Sequence, residues 1–210
     1  VGDIFLAKIG KVLTGLNASF VNVGYPKDGF LHYHDLGAKV QSLNNFIKKV
    51  STGKYTEFTL KNFRSEKDIH KDGSINDVLK SGQNLLVQIV KEPISTKGPR
   101  LSSELSIAGR FLVLVPFSDR ISVSQKIEDS KEKERLKRLV KSIKPKGFGV
   151  ILRTVAEGKK VAELDKDLQN SLDRWKTMCK RIANTNTPTK VLSELNRASS
   201  ILRDLMNDSF

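Results

Sequence analysis

Residues 18–32, which decide the fold of the first half of the chain, read ASFVNVGYPKDGFLH. Residues 18–23 are small, aromatic or β-branched, as is typical of a short strand, and residues 30–33 form a second such run. The residues between these two runs are turn-forming. Upstream, residues 4–13 read IFLAKIGKVL and predict another strand. Short strands separated by turn residues predict a small barrel or sandwich.

The rest of the first half supplies the remaining strands. Residues 84–91 read NLLVQIVK and predict a strong strand, and the alternating residues 101–107 predict that the barrel closes there. The intervening residues 35–76 are less regular. Residues 40–50 predict a turn or two of helix, and the lysine-rich residues 51–74 predict an exposed insertion.

The second half changes character and mixes helices with strands. Apolar stretches at 110–116 and 149–155 predict strands, and amphipathic stretches at 131–143 and 160–183 predict helices. A final strand is predicted over 190–193 and a final helix over 194–206. The sequence therefore predicts an α+β protein. We expect a five-stranded OB-fold barrel over residues 1–100, with an insertion around 35–76, and a mixed α+β unit over residues 101–210.

The helix predicted over residues 160–183 carries one apolar stripe. Trp175 and Cys179 lie on this stripe, so both are expected in the core, with an inert thiol. Glu163 and Asp167 lie four residues apart on the other face. They resemble a carboxylate pair, but a solvated surface explains them better.

Charge gives the first indication of a partner. The chain has 37 Lys and Arg against 23 Asp and Glu, a net charge of +14, and the excess occurs in both halves. Such a surface attracts polyanions, of which nucleic acid is the commonest, although a merely cationic protein is the alternative. The charged run 131–141 predicts a solvated helix face with pairs such as Glu134–Arg138.

Several classes are excluded or disfavoured. No run of about 18 apolar residues predicts a membrane span, and the single cysteine excludes a disulfide within the chain. Polar residues interrupt the first apolar run, so no signal peptide is predicted, and the missing Met predicts a piece of a longer protein. His32 and His34 would share one side of a strand; surface or stacking histidines are favoured over a metal pair.

Three stretches resemble one family. Residues 1–32, with VGDIFLAKI, ASFVNVG and GFLH, resemble the RNA-binding OB repeat named after ribosomal protein S-one. Residues 97–116 include KGP and SIAGRFLVLVP, and residues 147–156 read GFGVILRTVA. Together and in this order, the three stretches resemble the N-terminal half of the ribonuclease E/G family. The resemblance implies an OB barrel followed by a 5′-sensor region and the start of an RNase H-like part.

The resemblance also implies a function and a site. Family members are single-strand-specific endoribonucleases of RNA processing and decay, and their 5′ sensor recognises a 5′-monophosphate. By resemblance, the phosphate-binding pair falls on Arg153 and Thr154, with backbone and packing contacts on Gly109 and Val113. The RNA contacts of the barrel fall on Phe20, Phe30 and Lys97. Where the family often has two adjacent basic residues, this chain has Gln125 and Lys126.

The residue chemistry agrees with these roles. Arg153 offers a planar fork of donors that can engage two phosphate oxygens, and Thr154 adds a hydroxyl. Adjacent side chains on a strand point to opposite faces, so the two residues could share a ligand only where the strand ends or twists, or with help from a backbone amide. Gly109 suits close backbone approach to a ligand. The alternative is that Arg153 is simply a surface residue at a strand end.

The barrel residues also have two interpretations, an RNA-binding role and an ordinary core or surface role. Phe20 and Phe30 lie beside turn residues, where bases could stack on their rings for about 1–3 kcal/mol each, but a buried core position is the alternative. Lys8, Lys11, Lys27 and Lys97 could line a phosphate path, although any single lysine is more often a solvated surface charge.

The resemblance implies Mg²⁺ for the parent enzyme, held by aspartates that lie beyond this sequence, so no catalytic residue is predicted here and the fragment is expected to bind RNA without cutting it. A cytoplasmic setting is implied, and a homo-oligomeric parent is left open. The alternative is a free-standing RNA-binding protein, such as a translation or RNA-chaperone factor, for which a natural stop near Phe210 would argue. DNA binding by the same barrel is a third option.

Overall fold

A computed structural model describes residues 1–194 of the chain. The first half forms a closed barrel of five strands: β1 (Ile4–Leu13), β2 (Ala18–Asn22), β3 (Gly29–His32), β4 (Asn84–Lys91) and β5 (Arg100–Ser102). The order around the barrel is β1-β2-β3-β5-β4, and β4 pairs with β1 to close it. Every pairing is antiparallel except β3 with β5, which is parallel. The predicted OB fold is confirmed.

The length of β1 makes closure possible. Its first half, Ile4 to Lys8, pairs with β4, and its second half pairs with β2. The register with β2 shifts between Ile9 and Val12. A shift of this kind bends a strand and increases its twist, so one strand can serve both sides of the barrel. Leu31, Leu85 and Leu101 point inward and are fully buried.

The segment predicted as an exposed insertion contributes to the core. Helix α1 (Val40–Ser51) is twelve residues long, a full amphipathic helix rather than a turn or two. After it, Leu60 is buried, and further apolar side chains pack against the same core: Tyr55, Phe58 and Phe63. The polar residues around them are exposed. The prediction of an exposed insertion is therefore wrong for these apolar positions.

The second half forms a four-stranded sheet and two helices. The sheet order is β6-β7-β9-β8, from β6 (Ile107–Ala108), β7 (Leu112–Pro116), β8 (Ile121–Val123) and β9 (Phe148–Leu152). Helices α2 (Ser130–Ile143) and α3 (Val161–Ala183) pack against it. The predicted α+β subdomain is confirmed. The predicted strand 149–155 ends early, because residues 154–156 form a 3-10 turn, and the short strand β8 was not predicted.

One core joins the two halves. Trp175 of α3 is 1% exposed and packs in a cluster that includes Ile4 and Leu6 of β1 and Phe46 of α1. Its indole nitrogen donates a hydrogen bond to the carbonyl of Phe58 at 2.8 Å. The predicted core position of Trp175 is confirmed. A domain boundary near residue 100 stays a prediction.

The chain ends of the described part also meet the barrel. Strand β10 (Thr189–Leu192) pairs antiparallel with β1, which confirms the strand predicted near residues 190–193. The helix predicted over residues 194–206 lies outside the described residues. Within residues 1–194, no helix has the length and apolar character needed to cross a membrane.

Candidate nucleic-acid interface

Phe20 and Phe30 lie side by side on the outer surface of the barrel. They are direct partners across β2 and β3, with ring centroids 6.2 Å apart in an edge-to-face arrangement. Phe20 is 38% exposed and Phe30 is half-buried. The alternative of a fully buried barrel core therefore fails for both rings.

Lys97 is brought beside these rings by the loop between β4 and β5. The loop folds back on itself through paired backbone hydrogen bonds between Ile94 and Lys97. The next residue, Gly98, passes so close to the backbone that a Cβ there would lie 2.0 Å from the carbonyl oxygen of Asp28. The backbone N–H of Phe30 then donates to the carbonyl of Pro99 at 2.9 Å. Only glycine permits this approach, which fixes the lysine next to Phe30.

The rings and the lysine line one open groove of about 950 Å³. The groove also contains three further side chains that can meet an anion or a base: Lys27, His32 and Arg100. Arg100 is paired with Asp35 at 3.1 Å, so its charge is partly compensated. The structure thus brings together the three barrel residues singled out from sequence. Lys8 and Lys11 are exposed on β1 and do not line this groove.

The histidine pair does not form a metal site. The backbone N–H of His34 donates to Nδ1 of His32 at 3.1 Å, because the strand ends at His32 and a 3-10 turn begins at Tyr33. Within the described part of the chain, no group of three or more His, Cys, Asp or Glu side chains could hold a metal ion.

Arg153 lies where the second sheet meets solvent. Strand β9 ends at Leu152, so Arg153 and Thr154 follow the strand rather than alternating on it. Arg153 is exposed, and its Nη1 donates to the carbonyls of Gly109 at 2.8 Å and Arg110 at 3.3 Å. Within residues 1–194 these are the acceptors of its guanidinium. The Nε and Nη2 donors remain available to a ligand.

The hydroxyl of Thr154 meets a neighbouring loop. Its Oγ1 lies 3.2 Å from Oγ of Ser124, whose own backbone N–H donates to the carbonyl of Leu152. Gln125 and Lys126 follow Ser124 and are exposed. Residue 125 therefore directly follows the residue that contacts Thr154.

Gly109 and Val113 flank this region from β6 and β7. Val113 is half-buried and pairs with Ala108 on one side and Ile151 on the other. Gly109 approaches α3 so closely that a Cβ would lie 2.5 Å from Oδ2 of Asp167. The close backbone approach expected of Gly109 is thus to a carboxylate within the protein.

Asp167 is the residue that sequence reasoning misread. It was interpreted as solvated surface, but it is only 9% exposed, and its carboxylate accepts hydrogen bonds from three consecutive backbone N–H groups, those of residues 110–112. The overlooked signal is spacing, because Asp167 lies three residues after Leu164 and four before Ser171, both buried. Glu163 is indeed exposed, and its side chain caps the start of α3 by accepting from the N–H of Lys160.

The loop after Thr154 is held by α2. The Glu132 carboxylate accepts from Nε and Nη2 of Arg135, each at 2.7 Å, and from the N–H of Gly158 at 2.8 Å. Arg135 also donates to the carbonyl of Lys159. These hydrogen bonds, from Arg135 first and Gly158 second, lower the pKa of Glu132 to about 2. The ion pair on α2 is thus Glu132–Arg135, not the predicted Glu134–Arg138.

The buried thiol agrees with its predicted inert role. Cys179 is fully buried on α3, and burial raises the pKa of the thiol far above its ordinary value. A thiol held protonated in an apolar core is a poor nucleophile.

The fold and the two surface regions define a class: an OB-barrel protein with an appended α+β unit, carrying an aromatic and cationic groove on the barrel. The model of the ribonuclease E/G family matches residues 106–210. Over 97% of its length, the chain is 33% identical to ribonuclease G of Escherichia coli K12, and over 98% it is 32% identical to ribonuclease E of Nostoc. It is also 32% identical, over its whole length, to a ribonuclease E/G-like protein of Pyropia yezoensis.

The chain belongs to the ribonuclease E/G family. It spans 38% of the length of the Escherichia coli relative, 26% of the Nostoc relative and 36% of the Pyropia relative. The family predicted from the sequence motifs is therefore confirmed, and the chain corresponds to a part of those proteins.

Proposed function

We propose that this chain is the RNA-binding part of a single-strand-specific endoribonuclease of RNA processing and decay, and that it senses a 5′-monophosphate. The observation that carries the proposal is the groove in which Phe20, Phe30 and Lys97 meet on the barrel surface. Aromatic faces accept unpaired bases of any sequence, and a neighbouring cation accompanies the phosphates. A duplex, whose bases are already stacked, cannot use such rings.

The second part of the proposal concerns Arg153 and Thr154. A terminal monophosphate is compact, carries nearly two negative charges and offers several acceptor oxygens. The unused donors of Arg153 suit it, and the pairing of Thr154 with Ser124 leaves the hydroxyl at the rim of the same region. The carbonyls of Gly109 and Arg110 hold one edge of the guanidinium, so little side-chain entropy is lost when phosphate binds.

RNA cleavage itself is assigned to the parent protein. Cutting by metal-assisted chemistry needs carboxylates around Mg²⁺, and the family resemblance implies that those of the parent lie beyond this sequence. The chain is therefore expected to bind RNA without cutting it. A free-standing RNA-binding protein is the alternative, but family membership favours the endoribonuclease parent.

A binding titration tests the proposal. The full chain is titrated into short 3′-labelled single strands of one sequence: RNA with a 5′-monophosphate, RNA with a 5′-hydroxyl, and the matching DNA with each end. We expect the monophosphate RNA to bind most tightly, because both regions contribute. Arg153→Ala should lower its affinity about tenfold, the loss expected for one charged hydrogen-bond contact, and leave the 5′-hydroxyl RNA unchanged.

Three results would contradict the proposal. If Arg153→Ala lowered the affinity equally for both 5′ ends, the assignment of a phosphate site would be wrong, because a non-specific cation would contribute equally to both RNAs. If the same RNA annealed to its complement bound as tightly as the single strand, the stacking role of the groove would be wrong. Tighter binding of DNA than of RNA would indicate that the barrel binds DNA.

A further inference from the structure

Three consecutive peptide groups connect Asp167 to Arg153. They are the peptide groups that join residues 109 to 112. In each one the N–H donates to the Asp167 carboxylate, while the carbonyl oxygen accepts from Arg153. The segment is therefore held between a buried anion and an exposed cation.

The distances are those of ordinary hydrogen bonds. In the first peptide group, the carbonyl of Gly109 accepts from Nη1 of Arg153 at 2.8 Å, and the N–H of Arg110 donates to Oδ1 of Asp167 at 3.0 Å. In the second, the carbonyl of Arg110 accepts from the same Nη1 at 3.3 Å, and the N–H of Phe111 donates to Oδ2 at 2.9 Å.

The third peptide group extends the pattern to the backbone. The carbonyl of Phe111 accepts from the backbone N–H of Arg153 at 2.8 Å. The N–H of Leu112 donates to Oδ2 of Asp167 at 3.1 Å. The main chain and the side chain of Arg153 are thus both linked to the Asp167 carboxylate through hydrogen-bonded peptide groups.

This arrangement has a physical consequence for the guanidinium. An anion on the N–H side and a cation on the carbonyl side polarise a peptide group in the same sense, so the hydrogen bonds on its two sides strengthen each other. Asp167 is 9% exposed, so water screens this effect little. The two carbonyls accept at one edge of the guanidinium, which fixes the direction of its other donors.

We propose that Asp167 is a positioning residue for phosphate recognition by Arg153. By holding the three peptide groups, its carboxylate sets the orientation in which Arg153 presents Nε and Nη2 to a 5′-phosphate. Asp167 itself does not touch the RNA. This inference rests on the proposed function, because it assigns a supporting residue to the same phosphate site.

The arrangement also explains why residue 109 is glycine. A Cβ at this position would lie 2.5 Å from Oδ2 and 2.7 Å from Oδ1 of Asp167, in a backbone that the carboxylate already holds. Gly109→Ala therefore displaces the carboxylate while the negative charge is retained. It provides a second way to disturb the same contacts.

Asp167→Asn tests the proposal in the full chain. The amide keeps the shape of the side chain but turns a donor group toward backbone N–H groups, so at least one of the three hydrogen bonds is lost. Asp173→Asn is the matched control, since Asp173 is exposed on the same helix and the net charge changes equally. Affinities are measured by fluorescence anisotropy for 3′-labelled RNA with a 5′-monophosphate and with a 5′-hydroxyl.

We expect Asp167→Asn to lower the preference for the 5′-monophosphate about three- to tenfold while the affinity for 5′-hydroxyl RNA stays unchanged. Asp173→Asn should change neither. In an Arg153→Ala background, Asp167→Asn should cause no further loss of preference, because its effect acts through Arg153. If Asp167→Asn fails to fold, Gly109→Ala replaces it with the same expected result.

The outcomes separate this inference from the proposed function. If Arg153→Ala abolishes the preference and the folded Asp167→Asn or Gly109→Ala variant keeps it, Asp167 does not position Arg153 and the inference fails alone. Equal loss of affinity for both RNAs, or further loss in the Arg153→Ala background, also overturns it. If Arg153→Ala leaves the preference intact, the proposed phosphate site itself fails.

Discussion

The ring of Phe46 in α1 stacks on the indole of Trp175 in α3, with centroids 5.4 Å apart and planes inclined by 28°. Both residues are buried. Phe117 and Phe148 contact the same indole edge-on. This aromatic cluster joins α1, which is inserted within the barrel half, to α3 and to β9, the strand that Arg153 follows.

Loss of this stacking should destabilise the protein without changing its RNA preference. Phe46→Ala leaves a large cavity in a core of rings, and we expect the free energy of unfolding to fall by about 3–5 kcal/mol. Gln41→Ala, on the same helix but half-exposed, is the control and should cost less than about 1 kcal/mol. Urea unfolding followed by Trp175 fluorescence measures both. A small effect of Phe46→Ala would mean that α1 is not an integral part of this core.

The aromatic pair of the barrel leads to a second prediction. Phe20→Ala and Phe30→Ala should each weaken binding of single-stranded RNA by about five- to a hundredfold, because each removes one stacking platform worth about 1–3 kcal/mol. Leu16→Ala is the control, since Leu16 is 61% exposed and does not line the groove. Anisotropy titrations give the affinities. If the melting temperature of Phe20→Ala collapses, the ring supports the barrel and its assignment to RNA binding is wrong.

The strands of the barrel could be predicted because local patterns specify them. Residues 18–32 alone contain two strands and the turn between them, and the structure confirms both. The packing of Tyr55, Phe58 and Phe63 could not be predicted in this way, because their partners lie far along the chain, as the contact between Phe58 and Trp175 shows. Their irregular spacing also matches neither strand nor helix periodicity.

The candidate site also has a part that the sequence predicts and a part that it does not. The family resemblance singled out Phe20, Phe30 and Lys97 from the sequence, and the structure places all three in one groove. Spacing along α3 could have indicated that Asp167 is buried, but its hydrogen-bond partners could not be predicted, since the backbone N–H groups it accepts from lie 55 to 57 residues away. Hydrogen bonds between distant backbone groups and a side chain are a property of the folded chain.

The contribution of Lys97 should be visible in the salt dependence of binding. Each phosphate neutralised on a single strand contributes about −0.7 to the slope of log affinity against log salt concentration. We expect Lys97→Gln to weaken binding and to make this slope less steep by about that amount. Lys54→Gln, an exposed lysine outside the groove, should leave the slope unchanged. Identical slopes for the protein and its Lys97→Gln variant would show that Lys97 does not meet the backbone.

Gln125 offers a gain of function. It follows Ser124, whose hydroxyl contacts Thr154, so a cation at residue 125 would add attraction for a phosphate held by Arg153. We expect Gln125→Arg to raise the preference for 5′-monophosphate over 5′-hydroxyl RNA about three- to tenfold. Asn170→Arg adds the same charge to an exposed position of α3 and is the control. An equal gain for both RNAs, or the same gain in the control, would indicate only a non-specific effect of charge.

Glu132 should make stability depend on pH in a defined window. Because the folded protein lowers the pKa of Glu132 from 4.5 to about 2, the carboxylate stabilises the fold above pH 4.5, and this contribution is lost as the pH falls toward 2. Glu132→Gln removes the negative charge that pairs with Arg135 and leaves a single acceptor oxygen for three N–H donors, so we expect it to cost about 1–3 kcal/mol at pH 7. The difference in unfolding free energy between the two proteins should shrink between pH 4.5 and pH 2, where Glu132 becomes neutral like its replacement.

Glu134→Gln, exposed on the same helix, should cost little at any pH. Urea unfolding at a series of pH values measures these differences, and a pH-independent difference would contradict the assignment of the lowered pKa to Glu132.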